Sequence, residues 1–472
     1  MITHTLTQRQ RSSCERRHLP SPPRHQPIKS ATMPGKLQSW PAWQEFETPP
    51  KGLSQDTIGP GFSADAKAKV IAQYGEEALR KSWLEVCRAL EAVRERLGAL
   101  GSEAVPVLDM EEVLDGGLSE SRRAELKASG CCIVRGVVAS DEATELFNNL
   151  KTFVVENKDN ISGWPVESPS MLRVYNSPTQ VAIRTHPNQI LLQRTLNSLF
   201  HDESGETSPE PLSYTDAARI RPPGQAFLGL GPHIDAGSLC RWADERYCKV
   251  YDSIFSGSPE LHDAYDLDVR RDADQFLFEA NAHSVVFRSF QGWTALTPAS
   301  ASRGTLMLYP EVSTAIAYVV LRPFFAPPVN RKDIMDASKW TFDPDSSWFP
   351  GTFREQSQRL SPSSHPHLGL QECLVHIPPM NPGDTVWWHT DMCHAVDPEH
   401  IGDQDASVVY VPACPTTPRN KEYIKEQLRA ALDGKGPPDC PNVTVDESKL
   451  KGYKGFADVS EEGKVVLGFG LL

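Results

Sequence analysis

The feature that most limits the fold of this 472-residue chain is a change of pattern near residue 170. Before it, apolar residues recur at spacings of three and four. After it, they come in short runs rich in Val, Ile and aromatic residues, separated by Pro, Gly and Asp. The stripe Val70, Tyr74, Trp83, Val86, Leu90, Val93 and Leu97 predicts a long amphipathic helix, or a helix pair, over 63–97, with Ser63 at its start and Gly98 and Gly101 at its end. Residues 105–109 and 130–135 read as strands, and helices are expected over 119–128 and from Asp141 to about Glu156. Downstream, seven stretches read as short strands: 218–221, 284–290, 305–309, 315–321, 374–377, 385–389 and 407–411. A closing helix is expected from Arg419 to Leu432. Many antiparallel strands with flanking helices predict an α+β protein: a jelly-roll core with an N-terminal helical extension.

Composition divides the chain further. Residues 1–36 hold seven Lys/Arg against one acid, so this leader is +6 and the remainder −19 within a net charge of −13. Its prolines at 20, 22, 23 and 27 deny helix continuity, and a disordered basic leader is expected, with Met33 as a candidate true start. A helical extension (37–104), a jelly-roll domain (105–440) and a C-terminal tail (441–472) follow. A Pro- and Ser-rich insertion at 326–366 reads as a lid over the domain. No apolar run approaches the ~20 residues of a membrane span, and the acidic balance excludes a general nucleic-acid binder. Ten cysteines without a Cys-x-x-Cys pair indicate neither a disulfide scaffold nor a zinc ribbon. A cytoplasmic setting is expected; the Arg-rich leader makes a mitochondrial one the lesser alternative. No sequence feature specifies an oligomer.

The chemistry begins at Gly231-Pro232-His233-Ile234-Asp235. At a strand end, residues i and i+2 point to one side, so His233 and Asp235 can offer an imidazole nitrogen and a carboxylate oxygen to one ion. The pair alone is weak: about one His-x-Asp arises by chance in a chain with 14 histidines, and His389-Thr390-Asp391 is a second. A later segment strengthens it. Residues 382–397 hold a Pro-Gly-Asp turn, an aromatic strand and then His389 and His394. With strand ends gathered by a jelly roll, His394 completes two histidines and one carboxylate on one face of an ion, the set used by non-haem Fe(II) oxygenases. The long gap from Asp235 to His394 is no obstacle, because loop-closure entropy grows only logarithmically.

This pattern resembles the iron(II)/2-oxoglutarate-dependent dioxygenases, whose core is a double-stranded β-helix. Gly304-x-Leu306-x-x-x-Pro310 is similar to a strand of their phytanoyl-hydroxylase-type members. Closer still, the run from Gly231 to Trp242, Phe290-Gln291-Gly292-Trp293, Leu321-Arg322-Pro323-Phe324-Phe325 and the segment 394–400 resemble domain-of-unknown-function family 1479 over roughly 105–440. The resemblance implies Fe(II) and 2-oxoglutarate as cofactors, and oxidation of a C–H bond in a small molecule, an amino acid or a secondary metabolite. One departure stands out: those oxygenases place an Arg about ten residues or slightly more beyond the distal His, whereas residues 402–407 hold no cation. Arg288, Arg322 and Ser407 are therefore the candidate co-substrate contacts, with Arg219 and Arg221 behind them. His389 and Asp397 are expected as outer partners of the ligands, as is Asp391.

Plainer readings stand beside these. The four tryptophans 242, 293, 387 and 388 are more often core than substrate wall. His365 and His367 flank Pro366 in the insertion and read as exposed loop residues. The same three ligands could hold Zn2+ in a metal-dependent hydrolase or isomerase on a cupin-like barrel, or belong to a non-catalytic small-molecule-binding barrel.

Overall fold

Among the described residues thirteen strands build the two larger sheets, which form from runs too short to be stable alone and so pair across long stretches of chain. In chain order they are β1 (Val107–Asp109), β2 (Cys131–Arg135), β3 (Gly163–Trp164), β4 (Met171–Leu172), β5 (Ala218–Arg221), β6 (Leu230–Ile234) and β7 (Phe290–Ala295). Then come β8 (Leu306–Leu308), β9 (Gln358–Arg359), β10 (Val375–His376), β11 (Thr385–His389), β12 (His394–Val396) and β13 (Ala406–Tyr410). In this computed structural model the first sheet has the order β1-β2-β11-β7-β13-β5-β4-β3 and the second β9-β6-β12-β8-β10. Only β1 and β2 pair in parallel; the remaining pairs within these two sheets are antiparallel. The structure describes residues 34–225, 229–280, 283–440 and 442–472. The basic leader read from the sequence lies outside the described residues up to residue 33.

The long N-terminal helix spans Pro60–Leu100, broken at Gly75, whose φ of 80° and ψ of 161° are not helical. It starts three residues earlier than the Ser63 cap suggests, because Gly59 in the left-handed region and Pro60 at the first helical position make a better start. Its apolar stripe is buried at Val70, Trp83, Val86, Leu90, Val93 and Leu97, with Tyr74 half-buried, and Trp83 stacks on Phe325 and Tyr318, with ring centroids 4.5 and 5.4 Å away. Among the described residues no helix is long and apolar enough to cross a membrane.

Three expectations fail. Residues 315–321 form not a strand but most of a helix, Ser313–Leu321, buried from Ala315 to Leu321. A helix sunk in the core on all sides shows no 3.6-residue period, so its apolar run looks like that of a buried strand. The strand expected over 284–290 begins only at Phe290 and runs to Ala295. His365 and His367 are buried, at 1% and 2% exposure, not exposed: His365 Nδ1 lies 2.7 Å from Ser364 Oγ and His367 Nδ1 3.2 Å from Tyr318 Oη. Part of the 326–366 insertion belongs to the second sheet, where Gln358–Arg359 pairs with β6.

Candidate metal centre

Strand pairing brings the distant ligands together. His233 on β6 and His394 on β12 are direct cross-strand partners in antiparallel register, their ring centroids 4.2 Å apart. Asp235 lies one residue beyond the end of β6, on the side of His233. Immediately after it Ala236, Gly237 and Ser238 all have positive φ, a costly left-handed turn for two non-glycine residues. Gly237 has no alternative there, because a Cβ would fall 2.7 Å from the Tyr247 ring. Ser238 Oγ fastens the turn by accepting from the Phe353 amide at 2.9 Å.

The hydrogen bonds fix the proton on each ring. His233 Nδ1 faces the Gly231 carbonyl at 2.8 Å and His394 Nδ1 the Met392 carbonyl at 3.1 Å. A carbonyl only accepts, so each Nδ1 carries a hydrogen and donates it, and in the neutral ring Nε2 is then the nitrogen with the lone pair a metal would take. Those lone pairs face the Asp235 carboxylate, His233 Nε2 at 3.7 Å from Oδ1 and His394 Nε2 at 3.3 Å from Oδ2. Burial, then the neighbouring His394, pushes His233 down to about 3. Burial would raise the Asp235 carboxyl, but the two imidazoles and Arg288 hold it well below its usual range. The donor atoms of the two imidazoles and the carboxylate lie within 4.8 Å of one another, close enough to share one cation. Ser357, from the insertion, donates to Asp235 Oδ1 at 3.1 Å.

The outer partners expected from the sequence serve elsewhere. His389 is fully buried, with Nε2 3.1 Å from the Ala264 carbonyl and its ring stacked on Phe200. Asp397 accepts from Ser302 and Glu399 amides and faces His376 Nε2 at 3.1 Å, pinning the turn after β12. Asp391 does reach the site, through another residue. It accepts from Arg270 at 2.6 Å and from Arg241 at 3.3 Å, and Arg241 Nη2 donates to the Asp235 backbone carbonyl at 3.1 Å. Burial opposes its ionisation, yet the two guanidinium groups hold its carboxyl well below the ordinary range.

A cavity of about 580 Å3 lies between the sheets, with Trp293, Trp388 and Tyr410 from the first and His233, Leu306 and His394 from the second. Trp293 and Trp388 are thus wall as well as core. Trp242 and Trp387 are core, their Nε1 donating to Val320 and Thr385. Arg288 lines the cavity and packs over Tyr214 at 5.5 Å; it makes no hydrogen bond or ion pair with another described residue. Trp388 and Gln291 also line the cavity, and Trp388 Nε1 and Gln291 Nε2 have no hydrogen-bond partner among the described residues. Arg322 lies outside this cavity: it donates to the Ser364 and Phe325 carbonyls at 2.7 Å each and sits over Trp340. Ser407 lies outside it too. It pairs with Ile220 while its neighbour Val408 pairs with the cavity residue Arg219, so alternation turns Ser407 to the opposite face. Arg219 and Arg221 donate to the Gly304 and to the Asp397 and Pro398 carbonyls. A second histidine–acid group, His201, Asp266 and Asp268, is more exposed, and Asp266 and Asp268 accept from loop amides.

The fold and site define a mixed α/β protein of several sheets with a possible metal site enclosed between two of them. The chain belongs to the Gig2-like family, whose model matches residues 60–469. It is 30% identical to the uncharacterized protein YbiU of Escherichia coli over 387 residues, 79% of this chain and 87% of the relative. Among solved structures it is similar to GlcNAc Inducible Gene 2 of Candida albicans, a member of domain-of-unknown-function family 1479, at 28% identity and TM-score 0.78 over 89% of this chain and 90% of that one. A Salmonella typhimurium LT2 protein that carries the provisional name oxidoreductase is 27% identical, with TM-score 0.73 over 90% of this chain and 99% of that one. The family read from the motifs is thus borne out.

Proposed function

We propose that the protein is a non-haem Fe(II)/2-oxoglutarate-dependent oxygenase acting on a C–H bond of a small molecule, and that its two sheets are the halves of a double-stranded β-helix. The observation that carries this reading is the shared orientation of the rings: two imidazoles with Nδ1 tied to carbonyls turn their Nε2 atoms toward one carboxylate. This donor set suits a divalent transition metal and leaves coordination positions open. His233, Asp235 and His394 would hold the iron. Arg288 would take the far carboxylate of 2-oxoglutarate, since it is a less exposed cavity guanidinium than Arg173, has no hydrogen-bond partner among the described residues, and its planar fork matches a carboxylate. Trp388 Nε1 and Gln291 Nε2 are two further donors on the same wall, available to anionic oxygens.

When bound, iron and 2-oxoglutarate supply oxidation of a C–H bond by dioxygen, with the co-substrate converted to succinate and CO2. The chain contributes placement. The Gly231 and Met392 carbonyls keep both imidazoles in one tautomer and one orientation, Ser357 orients the carboxylate, and the aromatic wall keeps water from the target carbon. The test is direct. Anaerobic protein with Fe(II) and 2-oxoglutarate should develop a weak visible charge-transfer band that is lost in a His233→Ala/Asp235→Ala variant. Full retention of the band in that variant would defeat the ligand assignment.

A further inference from the structure

One acid in the cavity has no task in the chemistry above. Asp216 lines the same space as Arg288 and the metal ligands, two residues before the start of β5. Its position is set by its backbone: its carbonyl accepts from Gln180 Nε2 at 3.0 Å, and Gln180 is itself held by the Val174 carbonyl at 2.7 Å. Its carboxylate accepts from the adjacent Ala217 amide at 2.7 Å and has no other hydrogen bond or ion pair among the described residues. Asp439, which also lines the cavity, differs in that it accepts from Tyr214 at 2.7 Å. Burial pushes the Asp216 carboxyl up, against the pull of Arg288. A half-buried carboxylate without a paired cation gains from a partner that brings one.

The charges indicate what that partner is. On the reading proposed above, Fe(II), the Asp235 carboxylate, doubly ionised 2-oxoglutarate and the Arg288 guanidinium cancel one another. Arg288 is then occupied, and Arg173, at the exposed side of the cavity, makes no ion pair with Asp216. Asp216 is left as a carboxylate that lines the same cavity and makes no ion pair with any described residue. We propose that Asp216 is a substrate-binding residue whose carboxylate accepts hydrogen bonds from a protonated amine, so that the protein acts on small molecules bearing a cationic nitrogen. Trp164 and Trp293 give the same space apolar walls for the carbon skeleton.

This inference rests on the iron reading for the substrate's role, but its test separates the two. Anaerobic protein loaded with Fe(II) and 2-oxoglutarate is titrated by calorimetry with n-butylammonium and benzylammonium, and with the neutral n-butanol and benzyl alcohol. The charge-transfer band is followed alongside. Each amine should bind at least about tenfold more tightly than its alcohol, as a charge-assisted hydrogen bond provides. In Asp216→Asn, which keeps the shape of the side chain, the two should converge while the band persists. Equal binding of amine and alcohol by the wild-type protein would overturn the proposal, as would amine selectivity undiminished in Asp216→Asn. A missing band in the wild-type protein, with Asp216-dependent amine selectivity intact, would remove the iron reading and leave the amine site standing.

Discussion

Asp391→Ala is the substitution that best tests how the metal centre is supported. Asp391, Arg241 and Arg270 have fully buried side chains, and Asp391 is the one carboxylate that pairs with either guanidinium among the described residues. Removing it strands two charges in the core. Breaking a buried ion pair by deleting one partner costs about 3–5 kcal/mol, against a total stability on the order of 5–15 kcal/mol for folded proteins. The damage should reach the site, because Arg241 also donates to the Asp235 carbonyl. Loss of such an outer contact lowers metal affinity about 10–100-fold. Urea unfolding followed by tryptophan fluorescence measures the first effect. Competition with a coloured Fe(II) chelator, on the milder Asp391→Asn variant, measures the second. A loss below about 1 kcal/mol in the alanine variant, with metal affinity unchanged in the asparagine one, would refute the idea that this buried triad braces the ligand turn.

Acid should destabilise the metal-free protein well above the usual carboxylate range. Burial pushes His389 down to about 3, and His262 and His367 down to about 4. Below about pH 6.5 the unfolded chain therefore takes up protons that the folded one refuses, and stability falls toward pH 4 by up to about 1.4 kcal/mol per pH unit for each such group. Unfolding free energies that stay level between pH 7 and 5 would contradict this. Arg288→Ala should weaken 2-oxoglutarate binding by about tenfold or more while leaving stability nearly unchanged. Arg322→Ala should do the reverse, costing about 1–3 kcal/mol for each carbonyl left unpaired; calorimetry and urea unfolding of the two variants distinguish the roles. Gly292→Ala should cost about 1–3 kcal/mol by overpacking, since a Cβ there would lie 2.5 Å from Cε3 of Trp387, and a melting temperature equal to the wild type would count against the packing described.

The ligands His233, Asp235 and His394 stood out in the sequence because His-x-Asp ends one strand and His394 opens another, and alternation along strands carries side-chain direction with it. Their supports did not. Gly231 and Met392 act through backbone carbonyls, which any residue supplies, so no side-chain signal marks them. The Ser357–Asp235 contact and the Arg241–Asp391–Arg270 triad join segments more than a hundred residues apart, and only the folded chain brings them together. Arg288 and Arg322 look alike as arginines that each follow an apolar residue, Phe287 and Leu321, and only the partners each one finds separate a cavity lining from a structural brace. The helix at 313–321 was hidden for a related reason: burial on every side removes the polar face that gives a helix its period.

The most direct measurement is an anomalous difference map at the iron edge from crystals grown anaerobically with Fe(II). The account predicts one strong peak, about 2.0–2.3 Å from Nε2 of His233, Nε2 of His394 and an oxygen of Asp235. An empty position there, with iron bound instead at His201, Asp266 and Asp268 or nowhere, would contradict it.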